Sequence, residues 1–344
     1  MRTAITVTAE GDWPSIVDYV VEAERLGVSV CWTAEAWGTD AVSPLAFLAA
    51  RTERIHLASG IMQLGARTPA LTAMTALTLA RVSGNRFILG LGASGPQVME
   101  GLHGVRFAHP LGRMRETIEI VRRAFAGERI AYEGKHFQLP LPDGQGKALR
   151  LSQPANPDIP IYLATLSPKM LELTGELADG WVGTSFVPEA AASYLDPIAA
   201  GAARGGKTLA DIDICQGAEV AFGDDVDAMV ERRKPGLAFS LGGMGSATTN
   251  FYNDAYSRQG FADVAAEVQQ LWVDGKRDEA ARRVPDEMVL ATTLIGTEAM
   301  VRERLRVWRD AGVTTARFYP AGDTLDERLA TLARAVEIVA DLGV

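Results

Sequence analysis

Gly90, Gly92 and Gly95, with Ala93 and Ser94 between them and Pro96 and Gln97 behind, follow the apolar run Phe87 to Leu89. Glycine lacks a Cβ, so backbone at that spacing can turn sharply and lie flat against a ligand. A strand ending in such a loop, with an amphipathic helix not far behind, reads as a cofactor site at the C-terminal edge of an α/β sheet. The other polar residues able to act also stand where strand-like runs end. They are Glu35 and Asp40, the stretch Ser59 to Gln63, the stretch Thr165 to Lys169, Thr184 and Ser185, Gln216, Glu219, and Tyr319. His56, His103, His109 and His136 are scattered, without metal-ligand spacing to cysteine or carboxylate, so no metal site is expected. There is no Gly-x-Ser-x-Gly elbow and no phosphate-loop lysine motif. With so few strong acid or base groups, the chemistry is expected to rest with a cofactor.

The elements that must position these residues alternate along the chain. Residues 14–26 read as a helix, with Ile16, Val20, Ala23 and Leu26 recurring at helical spacing. Helices are expected also at Pro44 to Thr52, Pro69 to Val82, Pro110 to Phe125, Pro168 to Ala178 and Pro188 to Ala203. Thr297 caps another, and Thr324 with Glu327 forms a capping box for the last. Strands fall near 4–7, 29–33, 55–61, 86–91, 161–164, 181–184, 212–222 and 315–319. Eight such units favour a single α/β domain over residues 1–344, a (β/α)8 TIM barrel. A Rossmann domain fits less well, because its glycine fingerprint follows the first strand and opens directly into a helix. Here the first strand has no glycine loop. Two stretches interrupt the rhythm and read as insertions. Residues 127–158 suggest a hairpin and loop, with β-like pieces at Ile130 to Tyr132, His136 to Leu139 and Ala148 to Leu151. Residues 224–289 are longer than a crossover helix requires, and Leu241 to Gly245 suggests a mobile or sharply bent segment.

The bulk numbers narrow the partners. Of 344 residues, 47% are hydrophobic and 22% charged, the balance of a water-soluble protein with a sizeable core. A net charge of −9 argues against a general nucleic-acid binder. Cys31 and Cys215, each beside apolar residues, are expected to be reduced core thiols, which fits a cytoplasmic compartment. No apolar run approaches the roughly 20 residues that span a bilayer, and no leader pattern opens the chain. Trp32 and Trp181 are expected in the core, and Trp37 facing the pocket.

On these residues the chain resembles the bacterial luciferase-like monooxygenase superfamily, and within it the branch using the deazaflavin coenzyme F420. The resemblance is carried by Gly90 to Val98 with Glu100-Gly101-Leu102-His103-Gly104 behind it, and by Ser59-Gly60-Ile61 with Arg67-Thr68-Pro69. It is carried also by Pro110 to Arg122, and by Ile161 to Lys169 leading into Ala178-Asp179-Gly180-Trp181. It spans roughly residues 1–205, resumes near 290–340, and is faint over 224–289.

The resemblance implies a luciferase-like TIM barrel with a non-prolyl cis peptide at Gly60-Ile61, or else at Ser59-Gly60. That bulge would support the back of the flavin ring. The loops after the fourth and fifth strands would hold ring edge, ribityl chain and phosphate, through Ala93, Ser94, Gly95, Gln97 and Val98, and through Ala164, Thr165, Leu166 and Ser167. Backbone N–H groups at Ser94-Gly95 and Leu166-Ser167 suit an anion. Lys169 would add charge for the phosphate or the coenzyme's glutamyl tail. Where some deazaflavin enzymes carry an Asp-His pair, this chain has Glu35 and Ala36, leaving Glu35 as the catalytic candidate. The implied activity is hydride exchange at C5 of coenzyme F420 with a small organic substrate. The alternatives are an FMN-dependent monooxygenase and a non-catalytic flavin-binding protein. The resemblance also implies a homodimer or higher homo-oligomer. The substrate pocket is expected between residues 224–289 and 127–158.

Overall fold

The computed structural model describes residues 1–245 and 249–343. Eight parallel strands close on themselves: β1 (Arg2–Val7), β2 (Val30–Thr33), β3 (His56–Ser59), β4 (Phe87–Gly92), β5 (Ile161–Ala164), β6 (Gly180–Gly183), β7 (Asp213–Phe222) and β8 (Thr315–Pro320). Ala4 stands beside both Val30 and Arg317, and Asp213 beside Gly180, so the ring has no free edge in these strands. Residues alternate between its two sides, as the pleat requires. Ala4, Val30, Trp32, Ala58, Ile88, Tyr162, Val182 and Cys215 pack together in the lumen. Ile5, Cys31, Leu57, Leu89 and Leu163 point outward into the larger core beneath the helices. The two cysteines thus face opposite sides of the barrel wall, both buried and unbridged.

Local signals set the helices. Thr68 accepts the N–H of Leu71 at the head of Pro69–Val82, whose first residue has no N–H to lose. Thr324 and Glu327 complete a capping box at Leu325–Asp341. The helix expected at Pro44 begins earlier, at Val42–Ala49, because the Asp40 carboxylate accepts the N–H groups of Val42 and Ser43, 2.8 Å each. The helix expected from Pro188 is divided into a single turn, Pro188–Ala190, and a helix, Ala192–Arg204. A further short strand, Leu294–Gly296, extends the sheet beside the end of β7. No helix among the described residues is long and apolar enough to cross a membrane.

The first insertion contains one antiparallel pair, Tyr132–Glu133 with Gln138–Leu139, whereas Ala148 to Leu151 forms no strand. The Glu116 carboxylate on helix Pro110–Phe125 accepts the N–H groups of Lys135, His136 and Phe137 at 2.8–2.9 Å, pinning the turn. Other bonds run from Gln153 to Thr78 and from Asn156 to Asn85. Asn85 precedes β4, so this segment leads away from the strands' C-terminal ends. Its turn lies elsewhere: the His136 ring stacks on His109, at the head of helix Pro110–Phe125, with centroids 5.2 Å apart. The second insertion is a helical arm: Val226–Gly242, Phe251–Tyr256, Ala262–Val273, Arg277–Arg283 and Asp286–Thr292. It has an apolar core of its own around Leu241, Val268 and Met288. Leu241 and Gly242 close its first helix, and Trp272 lies so near that a Cβ on Gly242 would come within 2.4 Å of it. Those glycines serve close helix packing. Residues 246–248 lie outside the described chain.

Candidate functional site

Three small residues and one bulge shape the wall where β3 and β4 end. The peptide Gly60-Ile61 is cis, at the first of the two expected positions. Ser59 does not offer its hydroxyl to the lumen. That hydroxyl donates to the Gly90 carbonyl and accepts the Gly90 N–H, both at 2.9 Å, clamping the bulge to β4. A Cβ on Gly90 would lie 1.8 Å from the Ser59 carbonyl oxygen, so no other residue fits there. Met62–Gln63 then pairs with Leu91 and Gly92, and Ile61 folds over Gly92. Trp32, 1% exposed, closes the floor beneath Gly60. The upper lumen is therefore lined by small residues on three neighbouring strands: Gly60 and Ala164 are partly open, and Gly90 lies buried beneath the Ser59 carbonyl and Trp32. A flat ring fits such a wall.

The adjoining loops flank it. Ala93, Ser94, Gly95 and Val98 are partly open, and Ser94 takes a positive φ of 61° that turns the chain before Gln97. Beyond Ala164, Leu166 and Ser167 lead into helix Pro168–Leu177, and the Ser167 hydroxyl makes no capping bond. Two expected contacts are engaged elsewhere. Thr165 is buried, its hydroxyl 2.8 Å from that of Thr174 and its carbonyl taken by Trp181 Nε1 at 2.9 Å. Lys169 points to solvent and pairs with Glu172 at 2.9 Å, which Arg204 shares at 3.0 Å. Thr165 supports the loop from behind, and Lys169 stays on the outer face of its own helix.

Glu35 reaches the same end of the barrel, but its carboxylate is fully engaged. It meets Arg67 at 2.6 Å and accepts the N–H groups of Gln63 at 3.2 Å and Ala41 at 3.4 Å. It thereby ties the loop after β2 to the bulge after β3. Trp37, expected to face the pocket, is 65% exposed. Trp32 instead lies in the lumen, its ring centroid 5.7 Å from that of Tyr162. Burial opposes ionisation of Asp40, yet the N–H and hydroxyl of Ser43, the N–H of Val42 and the charge of Arg67 outweigh it, holding that carboxyl low.

Other residues at this mouth were not anticipated. The helical arm crosses the loops through Phe251, 6.3 Å from the Phe107 ring, and through Arg258, which donates to the Leu166 carbonyl at 2.7 Å. Gln259 donates to the Ser185 carbonyl at 2.6 Å and accepts the Val187 N–H at 2.7 Å. The arm therefore fixes the loops after β5 and β6 and touches the one after β4. Arg317 is the other. On β8 it stands beside the inward-facing Ala4, so its guanidinium enters the lumen, 6% exposed. The signal was present in the sequence: an arginine between Ala316 and Phe318 at an inward position of a buried strand.

A family profile described as luciferase-like monooxygenase matches residues 1–315. A Mycobacterium tuberculosis protein named "Putative coenzyme F420-dependent oxidoreductase" is 44% identical over 86% of this chain and 88% of its own. A 5,10-methylenetetrahydromethanopterin reductase of Archaeoglobus fulgidus is 31% identical over 91% of this chain and 92% of its own. Among solved structures, a coenzyme F420 dependent tetrahydromethanopterin reductase from Methanopyrus kandleri superposes with a TM-score of 0.80. It covers 98% of both chains at 22% identity, a likeness of fold.

Proposed function

The chain belongs to the luciferase-like monooxygenase family, and from that premise we propose that it is a coenzyme F420-dependent oxidoreductase acting on a small organic substrate. The observation that carries this reading is the small-residue lining at Gly60 and Ala164, set close by Gly90 behind it and bounded by the loops Ala93 to Val98 and Leu166 to Ser167. The name of the Mycobacterium tuberculosis relative supports coenzyme F420 over FMN. When bound, the coenzyme supplies a two-electron hydride donor or acceptor at C5 of its deazaflavin ring. The chain's own residues orient and shelter it. The cis bulge backs the ring, Trp32 closes the floor against water, and free N–H groups near Ser94 and Gly95 receive anionic oxygens. Glu35, held by Arg67 and two backbone N–H groups, is a positioning residue that keeps the bulge in register.

Two further parts of the reading concern where and how the enzyme works. Leu71, Met74 and Val82 form an exposed apolar face on helix Pro69–Val82, which we take as the surface where two copies associate. Buried, unbridged Cys31 and Cys215 suit the cytoplasm.

The test is a titration of the purified apoprotein with coenzyme F420 and with FMN, followed by visible absorbance. Binding of the deazaflavin in the micromolar range is expected. Binding of FMN with none of the deazaflavin overturns the reading.

A further inference from the structure

Arg317 holds a charge in the barrel lumen that nothing in the described chain neutralises. Its guanidinium extends from β8 across β7 toward β6, where Nη2 donates to the Gly183 carbonyl at 3.1 Å. It can pass because Gly217 lies beneath it: a Cβ there would come within 2.8 Å of both Nε and Nη2. Nε is buried without a partner, and the guanidinium forms no ion pair among the described residues. The two lumen-facing carboxylates of β7 are both committed elsewhere. Asp213, two inward positions below Gly217, is held by Arg2 at 2.6 Å. Glu219, one inward position above, is drawn outward by Arg233. The ring of Tyr319 stands 5.6 Å from the guanidinium carbon and contributes only its π face. A buried, unpaired cation is costly unless something pairs with it.

We propose that Arg317 is the anion-binding residue of the second substrate's pocket, and that the substrate is a carboxylate. The second substrate is taken from the function proposed above. The guanidinium is a planar donor fork suited to the coplanar oxygens of a carboxylate; with Nη2 on the Gly183 carbonyl and Nε buried, its outer end is the part left to an anion. Its neighbours in the same layer, Ala4 and Gly217, bring no second cation for a more highly charged anion such as a phosphate. Anchored on β8, a carboxylate would sit across the lumen from the wall of Gly60 and Gly90. That arrangement points the rest of the molecule toward the proposed ring face.

The experiment uses benzoate and its uncharged isostere benzamide as probes, titrated calorimetrically into the apoprotein and into Arg317→Gln. Benzoate is expected to bind the native protein roughly 10- to 100-fold more tightly than the variant, with benzamide indifferent to the change. Equal benzoate affinity, or none in the native protein, overturns the proposal. Should the variant fail to fold, nitrogen-15 arginine spectra of the native protein give a second reading. One buried Nε–H resonance should move with benzoate and stay still with benzamide; no response to benzoate overturns the proposal. Coenzyme F420 affinity is measured in both proteins. It should be unchanged, and a parallel loss would assign the anion to the cofactor and overturn the proposal. Failure of the native protein to bind coenzyme F420 removes the proposed function while leaving the benzoate result to stand or fall alone.

Discussion

Arg2 and Arg317 enter the same barrel from adjacent strands one inward step apart, reach toward opposite ends, and meet opposite surroundings. Arg2 pairs with Asp213 at 2.6 Å and donates to Tyr162 and Thr315 at 3.2 Å each. Tyr162 and Thr315 in turn donate to Asp213 at 2.9 and 2.8 Å. Burial opposes the charge on Arg2, but Asp213 and Tyr162 outweigh it and raise its pKa. Nearby at the same end, Arg86 donates to the carbonyls of Ser83, Ile55, Ala49 and Thr52 and to the Thr52 hydroxyl. Arg317, at the C-terminal end, has one carbonyl. At the lower end Arg2 and Arg86 spend their charge and donors within the chain, whereas Arg317 keeps a donor in reserve. A closed polar network fixes a fold, and an open one is a site waiting for a partner.

The contrast can be broken most severely at the upper wall. Gly90→Ala should cost about 3 kcal/mol or more, because the bulge cannot retreat from a Cβ. Denaturant unfolding and loss of deazaflavin affinity would report it, and a native-like midpoint would refute the close approach. At the lower end, Asp213→Ala takes the counter-charge from Arg2 and the acceptor from the Tyr162 hydroxyl. A loss of about 2 to 3 kcal/mol is expected, below the range for fully buried pairs since Arg2 is 44% open. Benzoate affinity should survive it.

Acid should attack the closed network first. Burial disfavours ionised Glu24, but the N–H groups of Ile55, Arg54 and Glu53, with the charge of Arg54, hold its carboxyl below the usual 4.5. Glu116 is lowered against its burial in the same way, by His136, Phe137 and Lys135. A depressed native pKa stabilises above pH 4.5 and loses that contribution as pH falls through the native value. Glu24→Gln should cost about 2 kcal/mol at neutral pH and flatten the acid limb of a stability–pH curve. Arg317→Gln, by contrast, should change stability by less than about 1 kcal/mol, in either direction, because it removes an unpaired charge. An unfolding free energy that drops as far as that of Asp213→Ala would make the two arginines equivalent and erase the comparison. Lys169→Ala should be smallest of all, under about twofold in deazaflavin affinity, since the side chain is exposed and paired with Glu172.

How much of this was legible follows from where each signal lies. Helix Pro69–Val82 and helix Pro110–Phe125 have the bounds their prolines and apolar spacing indicated. All eight barrel strands fall within a few residues of the expected runs, because parallel strands buried on both faces are short, apolar and punctuated by loops. The barrel and the family were therefore readable. The site was readable where backbone makes it, at Gly60-Ile61 and along Gly90 to Gln97, since glycine marks close approach in the sequence itself. It was less readable where side chains choose partners. Glu35 and Lys169 look like free charges in a string of letters, and each is bound to a neighbour 32 or 3 residues away.

The sequence alone determined the alternation, the number of strands and the glycines where backbones approach closely, because periodicity and missing side chains are local properties. Only the tertiary structure decided which charges are spent. Asp213 meets Arg2 across 211 positions of chain, and Glu219 turns to Arg233 instead of Arg317. Pairing depends on distance in space, and closing a barrel brings strands together in an order that no local pattern encodes.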